Sequence, residues 1–477
     1  MAESSLDIYC IAIGGTGMAP LACLLQEQGH RIRGVDNPLY PPMSTLLEEA
    51  GIRPLQGYDP AHLDPQPGSP PPPVPDLVIV GNAVPRHNPE AEVVERLGLP
   101  RLSMPQALAR FFLAERQPLV VGGTHGKTTT TALAAWVYTY CGADPGYLIG
   151  GVPKNLEHSF RIGGGARFLI EGDEYNAAYF DRGPKFLHYR PQTLILTSVE
   201  YDHADLYPDP ETLLAAYRKL VRLVPRDGLL VAYGDSPEVR EVASEAACRV
   251  VFYGLEKGND LRPEGGVASE ESGSRFTVLD QNAGELEITL PVPGEHNVAN
   301  ALAVWAAARH DGLDAAALGR ALAGFRGVKR RLEELGTARG VTVVDDFAHH
   351  PTAVDKSLGG LRQRYRGRRL MALFEPRSLT AGRAFFFDAY LRAFAEAHAV
   401  VFAPVFHRDR LGTDACLDLS ELCRRLGAMG VTAQACDSIA QVENAALAWA
   451  RDGDVLVTMS SGAFDGLPRR LLAALAE

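Results

Sequence analysis

The chain has 477 residues, of which 46% are hydrophobic and 22% are charged. This composition is typical of a globular protein, and at about 150 residues per domain the length predicts about three domains. The formal net charge of −11 argues against a nucleic-acid partner, because domains that grip nucleic acid are usually basic. The seven cysteines include no CxxC pair, and no apolar run reaches the about 18 residues that a membrane helix needs. We therefore expect a cytoplasmic protein without a disulfide framework or a membrane partner.

Three segments each begin with an apolar strand pattern that leads directly into a helix pattern, which predicts an α/β fold. The first strand covers residues 8–13, the second begins at Pro118, and the third is the run VTVVDDFA. The predicted domains are 1–117, 118–335 and 336–477.

Two stretches interrupt this alternation. Residues 65–75 are rich in proline and predict a solvated, extended loop. Residues 255–284 are rich in Gly, Glu and Ser, and they predict a loop or an edge hairpin.

The run GGTHGKTTTT, residues 122–131, lies between a strand pattern and a helix pattern, which is the setting of a phosphate-binding loop. Its spacing is a shortened GxxGK[ST], since Val121 stands where the usual motif has its first glycine. Backbone N–H groups of such a loop turn towards phosphate oxygens, and the helix N-terminus adds its positive dipole end. We expect Lys127 to reach the β- and γ-phosphates and the Thr128 hydroxyl to bind Mg²⁺.

Two acidic motifs follow the phosphate loop, and each closes a strand pattern. The first is LIEGDEY, which contains Glu171, and the second is SVEYDHADLY, which contains His203. Acidic groups at strand ends near a phosphate loop are suited to holding Mg²⁺. The predicted metal ligands are Thr128, Glu171 and His203.

Three further motifs carry polar residues at predicted element ends. Asn297 and Asn300 open a helix, where Asn is usually a cap but also suits the edge of adenine. Arg331 follows in VKRRLEE, from which an arginine could reach a γ-phosphate in the neighbouring domain. The run VVDDFAHHPTA then places Asp346, His349 and His350 at a strand end.

The N-terminal run AIGGTGM resembles a dinucleotide fingerprint only in part, because the third glycine position falls on Pro20. The loop still offers N–H groups to a diphosphate, and Asp36 stands where an acid could meet a ribose or a base. An NAD-dependent oxidoreductase is therefore one alternative, but it leaves the phosphate loop unexplained. A non-catalytic, ATP-dependent sensor is another.

The motifs GTHGKTTTT, EGDE, DHAD, EHNVAN, KRRLE and DDFAHHPT occur in the order seen in the Mur ligases, and the chain resembles that family over nearly its whole length. The resemblance implies a Rossmann-like N-terminal domain, a central P-loop ATPase domain and a Rossmann-like C-terminal domain. These would bind UDP-N-acetylmuramate, ATP with Mg²⁺, and a murein peptide, respectively. The implied ATP site comprises Gly123, Thr124, His125, Gly126, Lys127, Thr128, Thr129, Asn297, Asn300, Arg331 and Asp346. The implied UDP-N-acetylmuramate site comprises Gly14, Gly15, Thr16, Gly17, Met18 and Asp36.

Within the family, YPPMSTLLEEAGI, GNAVPRHNPE and FEPRS resemble the branch that joins recovered L-alanyl-γ-D-glutamyl-meso-diaminopimelate to UDP-N-acetylmuramate. That reaction proceeds through an acyl phosphate and serves peptidoglycan recycling. The branch that adds L-alanine is the alternative, and it has a longer segment in place of FEPRSLT. The resemblance implies peptide binding by Arg377 and Ser378. It implies catalytic roles for Lys127, His203, Arg331, His349 and His350.

Several Mur ligases carry a carbamylated lysine fifteen residues after the metal-binding histidine. Here that position is Arg218, and Lys219 follows it. One residue corresponds to a rotation of about 100° on a helix, so Lys219 does not substitute without a change of register. We expect no carbamate.

Overall fold

The structure is a computed structural model that describes residues 5–64, 73–202, 206–411 and 415–477. Three sheets, each mostly or wholly parallel, follow one another along the chain, and the prediction of three α/β units is confirmed. Most of the proline-rich stretch 65–75 lies outside the described residues.

The N-terminal sheet is wholly parallel, with strand order β3-β2-β1-β4-β5. Its strands are β1 (Asp7–Ile11), β2 (Arg31–Asp36), β3 (Leu55–Gln56), β4 (Leu77–Val80) and β5 (Arg101–Ser103). The accompanying helices are α1 (Met18–Glu27), α2 (Met43–Glu49), α3 (Pro89–Leu97) and α4 (Met104–Leu108). The strand order reverses at β1, and ligands of open α/β sheets gather beyond the carboxyl ends of the strands at such a point. The loop 12–17 lies there.

The central sheet has seven strands in the order β14-β13-β12-β6-β9-β7-β8, and all pairs except β7–β8 are parallel. Its strands are β6 (Gln117–Gly122), β7 (Gly146–Leu148), β8 (Phe160–Arg161), β9 (Arg167–Gly172), β12 (Thr193–Leu196), β13 (Leu229–Tyr233) and β14 (Arg249–Tyr253). Strands β10 (Asn176–Ala178) and β11 (Asp181–Pro184) form a separate antiparallel pair. The helices are α5 (Lys127–Tyr140), α6 (Pro210–Arg222), α7 (Pro237–Ala243), α8 (Glu295–His310) and α9 (Ala315–Ala323). The phosphate loop thus leaves an interior strand, β6, which is flanked by β9 and β12.

A three-stranded antiparallel sheet occupies the stretch predicted to be a loop or an edge hairpin. Its strands are β15 (Pro263–Glu270), β16 (Gly273–Asp280) and β17 (Gly284–Leu290). Phe276, Val278, Ile288 and Leu290 are buried in the core of the central domain. The alternation of these side chains along two strands, rather than the composition, encodes the sheet.

The C-terminal sheet has the order β18-β19-β23-β20-β21-β22, in which only β18 is antiparallel. Its strands are β18 (Glu333–Ala338), β19 (Val341–Asp346), β20 (Leu370–Phe374), β21 (Ala399–Phe402), β22 (Thr432–Ala435) and β23 (Val455–Met459). The helices are α10 (Pro351–Arg364), α11 (Phe387–Phe394), α12 (Arg408–Leu411), α13 (Leu419–Ala428), α14 (Ile439–Trp449) and α15 (Leu467–Ala476). The predicted limit at residue 335 falls within β18, which pairs with β19. We therefore propose that the third domain begins before residue 333.

An almost buried ion pair fixes the start of β9 to the helices behind the central sheet. The Arg167 Nε donates to Asp311 Oδ2 at 2.7 Å, and the Tyr138 hydroxyl donates to the same oxygen at 2.6 Å. Tyr138 lies on α5 and Asp311 ends α8, so one carboxylate joins three elements. The other end of β9 carries Glu171, whose position therefore depends on this anchor.

We expect Asp311→Ala to lower the free energy of unfolding by about 3–5 kcal/mol, because it leaves the Arg167 charge buried without its partner. Urea denaturation measures the loss. The control is Glu241→Ala, which removes an exposed partner of Arg218 and should cost less than about 1 kcal/mol. Equal losses in the two variants would contradict a structural role for the buried pair.

Candidate active site

The phosphate loop turns between β6 and α5 on two glycines with left-handed backbone conformations. Gly123 has φ 132° and Gly126 has φ 82°. A side chain at Gly123 would also collide with Thr197 Oγ1. Both the backbone conformation and the lack of space therefore require glycine at this position. The helix begins at Lys127, and its first N–H groups face the loop as an anion site requires.

Lys127 is held by Glu174, an acid of the LIEGDEY motif that is not among the predicted site residues. Its Nζ donates to the two carboxylate oxygens of Glu174 at 2.8 and 3.1 Å and to the Gly123 carbonyl at 2.6 Å. Burial by itself lowers the pKa of Lys127, but the charge of Glu174 and neighbouring acids raises it above its usual value. The lysine is therefore an ammonium ion with a buried counter-ion.

Two of the three predicted metal ligands lie side by side. Thr128 Oγ1 donates to Glu171 Oε2 at 2.9 Å, and the other Glu171 oxygen accepts from the Gly150 N–H at 2.5 Å. Burial raises the pKa of Glu171, and these hydrogen bonds oppose the rise. A hydroxyl and a carboxylate at the phosphate loop are the hard oxygen donors that suit Mg²⁺. The third predicted ligand, His203, lies outside the described residues.

Arg331 reaches the phosphate loop from the segment that leads into the C-terminal sheet. Its guanidinium donates to Thr128 Oγ1 at 3.3 Å, and its Cζ lies 4.2 Å from the centre of the Phe347 ring. Burial lowers the pKa of Arg331 from its very high usual value. The positive φ angles of Arg330 and Leu332 on either side of it, 59° and 48°, show that the turn is conformationally strained.

Asp346 holds that turn in place. Its carboxylate is buried and accepts from the Leu332 N–H at 2.6 Å, the Ala348 N–H at 2.7 Å and the Ser357 hydroxyl at 3.3 Å. Burial raises the pKa of Asp346, and these backbone donors oppose the rise. In this structure the carboxylate is thus occupied by the protein itself, and its contact with ATP stays a prediction.

Asn297 and Asn300 are buried in the first two turns of α8. The Asn300 amide donates to Asn297 Oδ1 at 3.3 Å, and the Asn297 amide donates to the Pro293 carbonyl at 2.7 Å. The Asn300 side chain lies against Gly126, so the pair is brought to the phosphate loop as predicted site residues should be. Whether they read adenine stays a prediction.

Three side chains from separate segments meet where the C-terminal domain faces the phosphate loop. The rings of His125 and His350 are 4.7 Å apart, and Glu200 Oε2 lies 3.6 Å from His125 Nε2 and 3.9 Å from His350 Nδ1. His350 is also the N-cap of α10, where its Nδ1 accepts from the Thr352 N–H at 3.3 Å. The sequence motifs contained all three residues, but no spacing indicated that Glu200 belongs with the histidines.

The cluster has unusual protonation. Burial and the neighbouring His125 and His349 lower the pKa of His350 to about 4, although Asp202 and Glu200 oppose the shift, so the ring is neutral near pH 7. Although burial raises the pKa of Glu200, the His125 side chain and the Thr352 hydroxyl lower it to about 2. Glu200 is therefore an anion. The nearby His349 contacts the backbone of its own segment, where its Nδ1 lies 3.1 Å from the Phe347 carbonyl oxygen.

The predicted uridine-nucleotide residues lie together at the carboxyl end of β1. Asp36 Oδ2 accepts from the Gly14 N–H at 2.8 Å, and its Oδ1 accepts from the Tyr58 hydroxyl at 3.2 Å. Gly15 and Thr16 are exposed, and Gly17 precedes the first turn of α1. Asp36 thus braces the loop, and its contact with a nucleotide stays a prediction.

Comparison with known proteins decides the family. Models of the Mur ligase family match residues 7–116 (catalytic domain), 121–308 (middle domain) and 330–462 (glutamate ligase domain). The UDP-N-acetylmuramate–L-alanyl-γ-D-glutamyl-meso-2,6-diaminoheptandioate ligase of Escherichia coli (strain K12) is 38% identical over 473 residues, 99% of either chain. The chain belongs to the Mur ligase family. Membership confirms the predicted family and makes the protein an ATP-dependent, amide-forming ligase.

Two further relatives of this Mur ligase bear on its branch. The crystal structure of a murein peptide ligase from Psychrobacter arcticus 273-4 has a TM-score of 0.71 and 33% identity and covers 99% of either chain. The UDP-N-acetylmuramate–L-alanine ligase of Halorhodospira halophila (strain DSM 244 / SL1) is 32% identical over 472 residues, 97% of this chain and 92% of that one.

The predicted peptide residues of this Mur ligase lie at the carboxyl end of β20. Arg377 lies over the Phe406 ring at 4.2 Å and donates to Glu375 at 3.3 Å, and these residues line an open cavity with Ser438. Ser378 instead supports its own turn, since its hydroxyl accepts from the Ala381 N–H at 3.0 Å.

At the position of the carbamylated lysine of other Mur ligases, Arg218 forms ion pairs with two surface glutamates, and the neighbouring Lys219 is exposed on α6. Among the described helices, none has both the length and the apolar character for crossing a bilayer.

The neutral state of buried His350 predicts acid sensitivity. The unfolded chain takes up a proton near the usual histidine pKa of about 6.5, whereas the folded protein does so near 4, so stability falls as the pH drops between these values. From about pH 7 to about pH 5 we expect a loss of about 2 kcal/mol from this residue.

His350→Asn removes the titration and keeps a helix cap. In urea denaturation at both pH values, the variant should lose about 2 kcal/mol less than the wild type between pH 7 and pH 5. Glu200 does not interfere, because its pKa of about 2 keeps it ionised over this range. An identical pH dependence in the two proteins would contradict the buried, neutral ring.

Proposed function

We propose that this Mur ligase joins the recovered peptide L-alanyl-γ-D-glutamyl-meso-diaminopimelate to UDP-N-acetylmuramate at the expense of ATP, in peptidoglycan recycling. The full-length similarity to the Escherichia coli ligase of that name carries the proposal. The murein peptide ligase structure, which aligns over 99% of either chain, supports it. We place the reaction in the cytoplasm, because it consumes ATP and a nucleotide-linked sugar.

The chemistry is amide formation through an activated carboxylate. An oxygen of the muramate carboxylate attacks the γ-phosphorus of ATP, the bond to the β-phosphate oxygen breaks, and an acyl phosphate and ADP result. The peptide amine then attacks the acyl carbon, loses a proton, and inorganic phosphate leaves with the electrons of the C–O bond. The first step brings two anions together, which cations must offset.

The structure supplies those cations from two domains. Lys127 lies at the phosphate loop on the central domain, and Arg331 arrives over Thr128 from the segment that enters the C-terminal sheet. In the proposed reaction Lys127 exchanges its Glu174 contact for phosphate oxygens, and Arg331 approaches the γ-phosphate. Asn297 and Asn300 border the same loop and are proposed to bind the nucleotide base.

Magnesium is the proposed metal, with Thr128, Glu171 and His203 as the residues that would hold it. When bound, the ion would neutralise phosphate charge. The oxygen donors of Thr128 and Glu171, only 2.9 Å apart beside the phosphate loop, fit that requirement.

We expect Glu171→Ala to raise the Mg²⁺ concentration needed for half-maximal activity at least tenfold, because changes to groups behind metal ligands already cost about 10–100-fold. Calorimetric titration of the enzyme–ADP complex with Mg²⁺ provides a second readout. Glu157→Ala, at an exposed position of the same domain, is the control. Unchanged Mg²⁺ titrations for Glu171→Ala would remove this residue from the metal site.

The amine substrate separates the two branches of the family. The tripeptide carries several carboxylates, and Arg377 faces the cavity at the carboxyl end of β20, where an arginine suits paired contacts with a carboxylate. L-Alanine offers a single carboxylate. Addition of L-alanine is the second candidate function, supported by the relative from Halorhodospira halophila.

An ATP-dependent ligation assay with UDP-N-acetylmuramate tests the choice, with L-alanine, a dipeptide and the diaminopimelate tripeptide offered in parallel. We expect far higher kcat/KM for the tripeptide. Comparable values for L-alanine would favour the alanine-adding function.

Arg377→Ala should lower kcat/KM for the tripeptide about tenfold or more, since a hydrogen bond to a charged group contributes about 1.5–3 kcal/mol. The KM for ATP should change little. Arg424→Ala is the control, because this arginine is exposed on α13 of the same domain. A normal kcat/KM in the Arg377 variant would place the peptide elsewhere.

A further inference from the structure

Glu200 is attached to the phosphate loop through its backbone. The Thr124 hydroxyl accepts from the Glu200 N–H at 2.9 Å and donates to the Glu200 carbonyl at 3.0 Å. One side chain of the loop thus fixes both backbone polar groups of a residue beyond the end of β12. A displacement of Glu200 therefore displaces Thr124, which lies between the two loop glycines.

The side chain of Glu200 points to the C-terminal domain. Its Oε2 accepts from the Thr352 hydroxyl at 2.5 Å and lies 3.9 Å from His350 Nδ1. Both partners belong to the beginning of α10, and α10 is packed behind the turn that carries Arg331 through the Ser357–Asp346 hydrogen bond. The carboxylate therefore connects the phosphate loop with the element behind the arginine.

Two histidine rings surround the Glu200 carboxylate. Glu200 is flanked by His125 from the loop and by His350 from α10, and the buried Nε2 atoms of both rings have no hydrogen-bond partner among the described residues. Because Nδ1 of His350 accepts from the Thr352 N–H, its neutral ring carries the proton on Nε2. The Oε2 atom of Glu200 lies 3.6 Å from His125 Nε2 and 3.9 Å from His350 Nδ1, so the anion stands beside both rings without a hydrogen bond to either.

We propose that Glu200 is a positioning residue that couples closure of the C-terminal domain to the conformation of the phosphate loop. Through Thr352 it holds α10 against the central domain, and through Thr124 it sets the loop. Arg331 then lies over Thr128 only when both contacts are made. The inference rests on the proposed function for its chemistry, but the coupling is measured without product formation.

The first readout is domain closure. Small-angle X-ray scattering of the full chain, with a non-hydrolysable ATP analogue, Mg²⁺ and UDP-N-acetylmuramate, reports compaction on ligand binding. We expect compaction in the wild type and its loss in Glu200→Ala. Thr352→Val, which removes the same hydrogen bond from the other domain, should also lose it, and Thr352→Ser should retain it.

The second readout is the division between kcat and KM in the ligation assay. Glu200→Ala and Thr352→Val should lower kcat about ten- to hundredfold, as expected for loss of a charged hydrogen bond, with the KM for ATP within about threefold of the wild type. The control is Ser269→Ala. Ser269 bonds to Gln363 near the other end of α10 at 3.2 Å, so it joins the same domains far from the phosphate loop.

Normal compaction in both Glu200→Ala and Thr352→Val would overturn the proposal, as would equal effects in Ser269→Ala. If Glu200→Ala fails to fold, the comparison of Thr352→Val with Thr352→Ser tests the coupling by itself. A wild type that compacts with these ligands but does not ligate the tripeptide would refute the proposed substrate and leave the coupling intact.

Discussion

The constraint on which the rest of this structure depends is the joining of two anions, a carboxylate and the terminal phosphate of ATP. Two cations beside the phosphate loop come from different segments of the chain. Lys127 comes from the central domain, and Arg331 comes from the segment that enters the C-terminal sheet. The charges meet only when the domains meet, so the packing between domains is part of the site.

Buried acids keep these cations in place. Glu174 is the counter-ion of Lys127, and Asp346 accepts from the backbone of the strained turn that bears Arg331. Each acid fixes the position of a charge that is proposed to contact phosphate. In the same way, the buried Arg167–Asp311 ion pair anchors β9, the strand that carries Glu171.

Most of the candidate binding groups follow parallel strands at their carboxyl ends, whereas Asn297, Asn300 and Arg331 do not. The N-terminal loop follows β1, the phosphate loop follows β6, Glu171 lies near the end of β9, Glu200 follows β12, and Arg377 follows β20. Helix N-termini and unpaired N–H groups gather at that edge, which favours anionic ligands. This placement is consistent with the proposed anionic substrates.

The sequence by itself determined the three α/β units, the phosphate loop and the family, because strand-to-helix alternation and a glycine-rich loop are local patterns. It did not predict the three-stranded sheet of residues 263–290, because the Gly-, Glu- and Ser-rich composition of residues 255–284 concealed the alternation of buried side chains along its strands. The limit of the third domain at residue 335 stays a prediction, and it lies within β18, which pairs with β19. Only the tertiary structure joined Glu200 with His125 and His350, and Glu174 with Lys127. These contacts cross domains or motifs, and their strength comes from burial, which no local run of residues encodes.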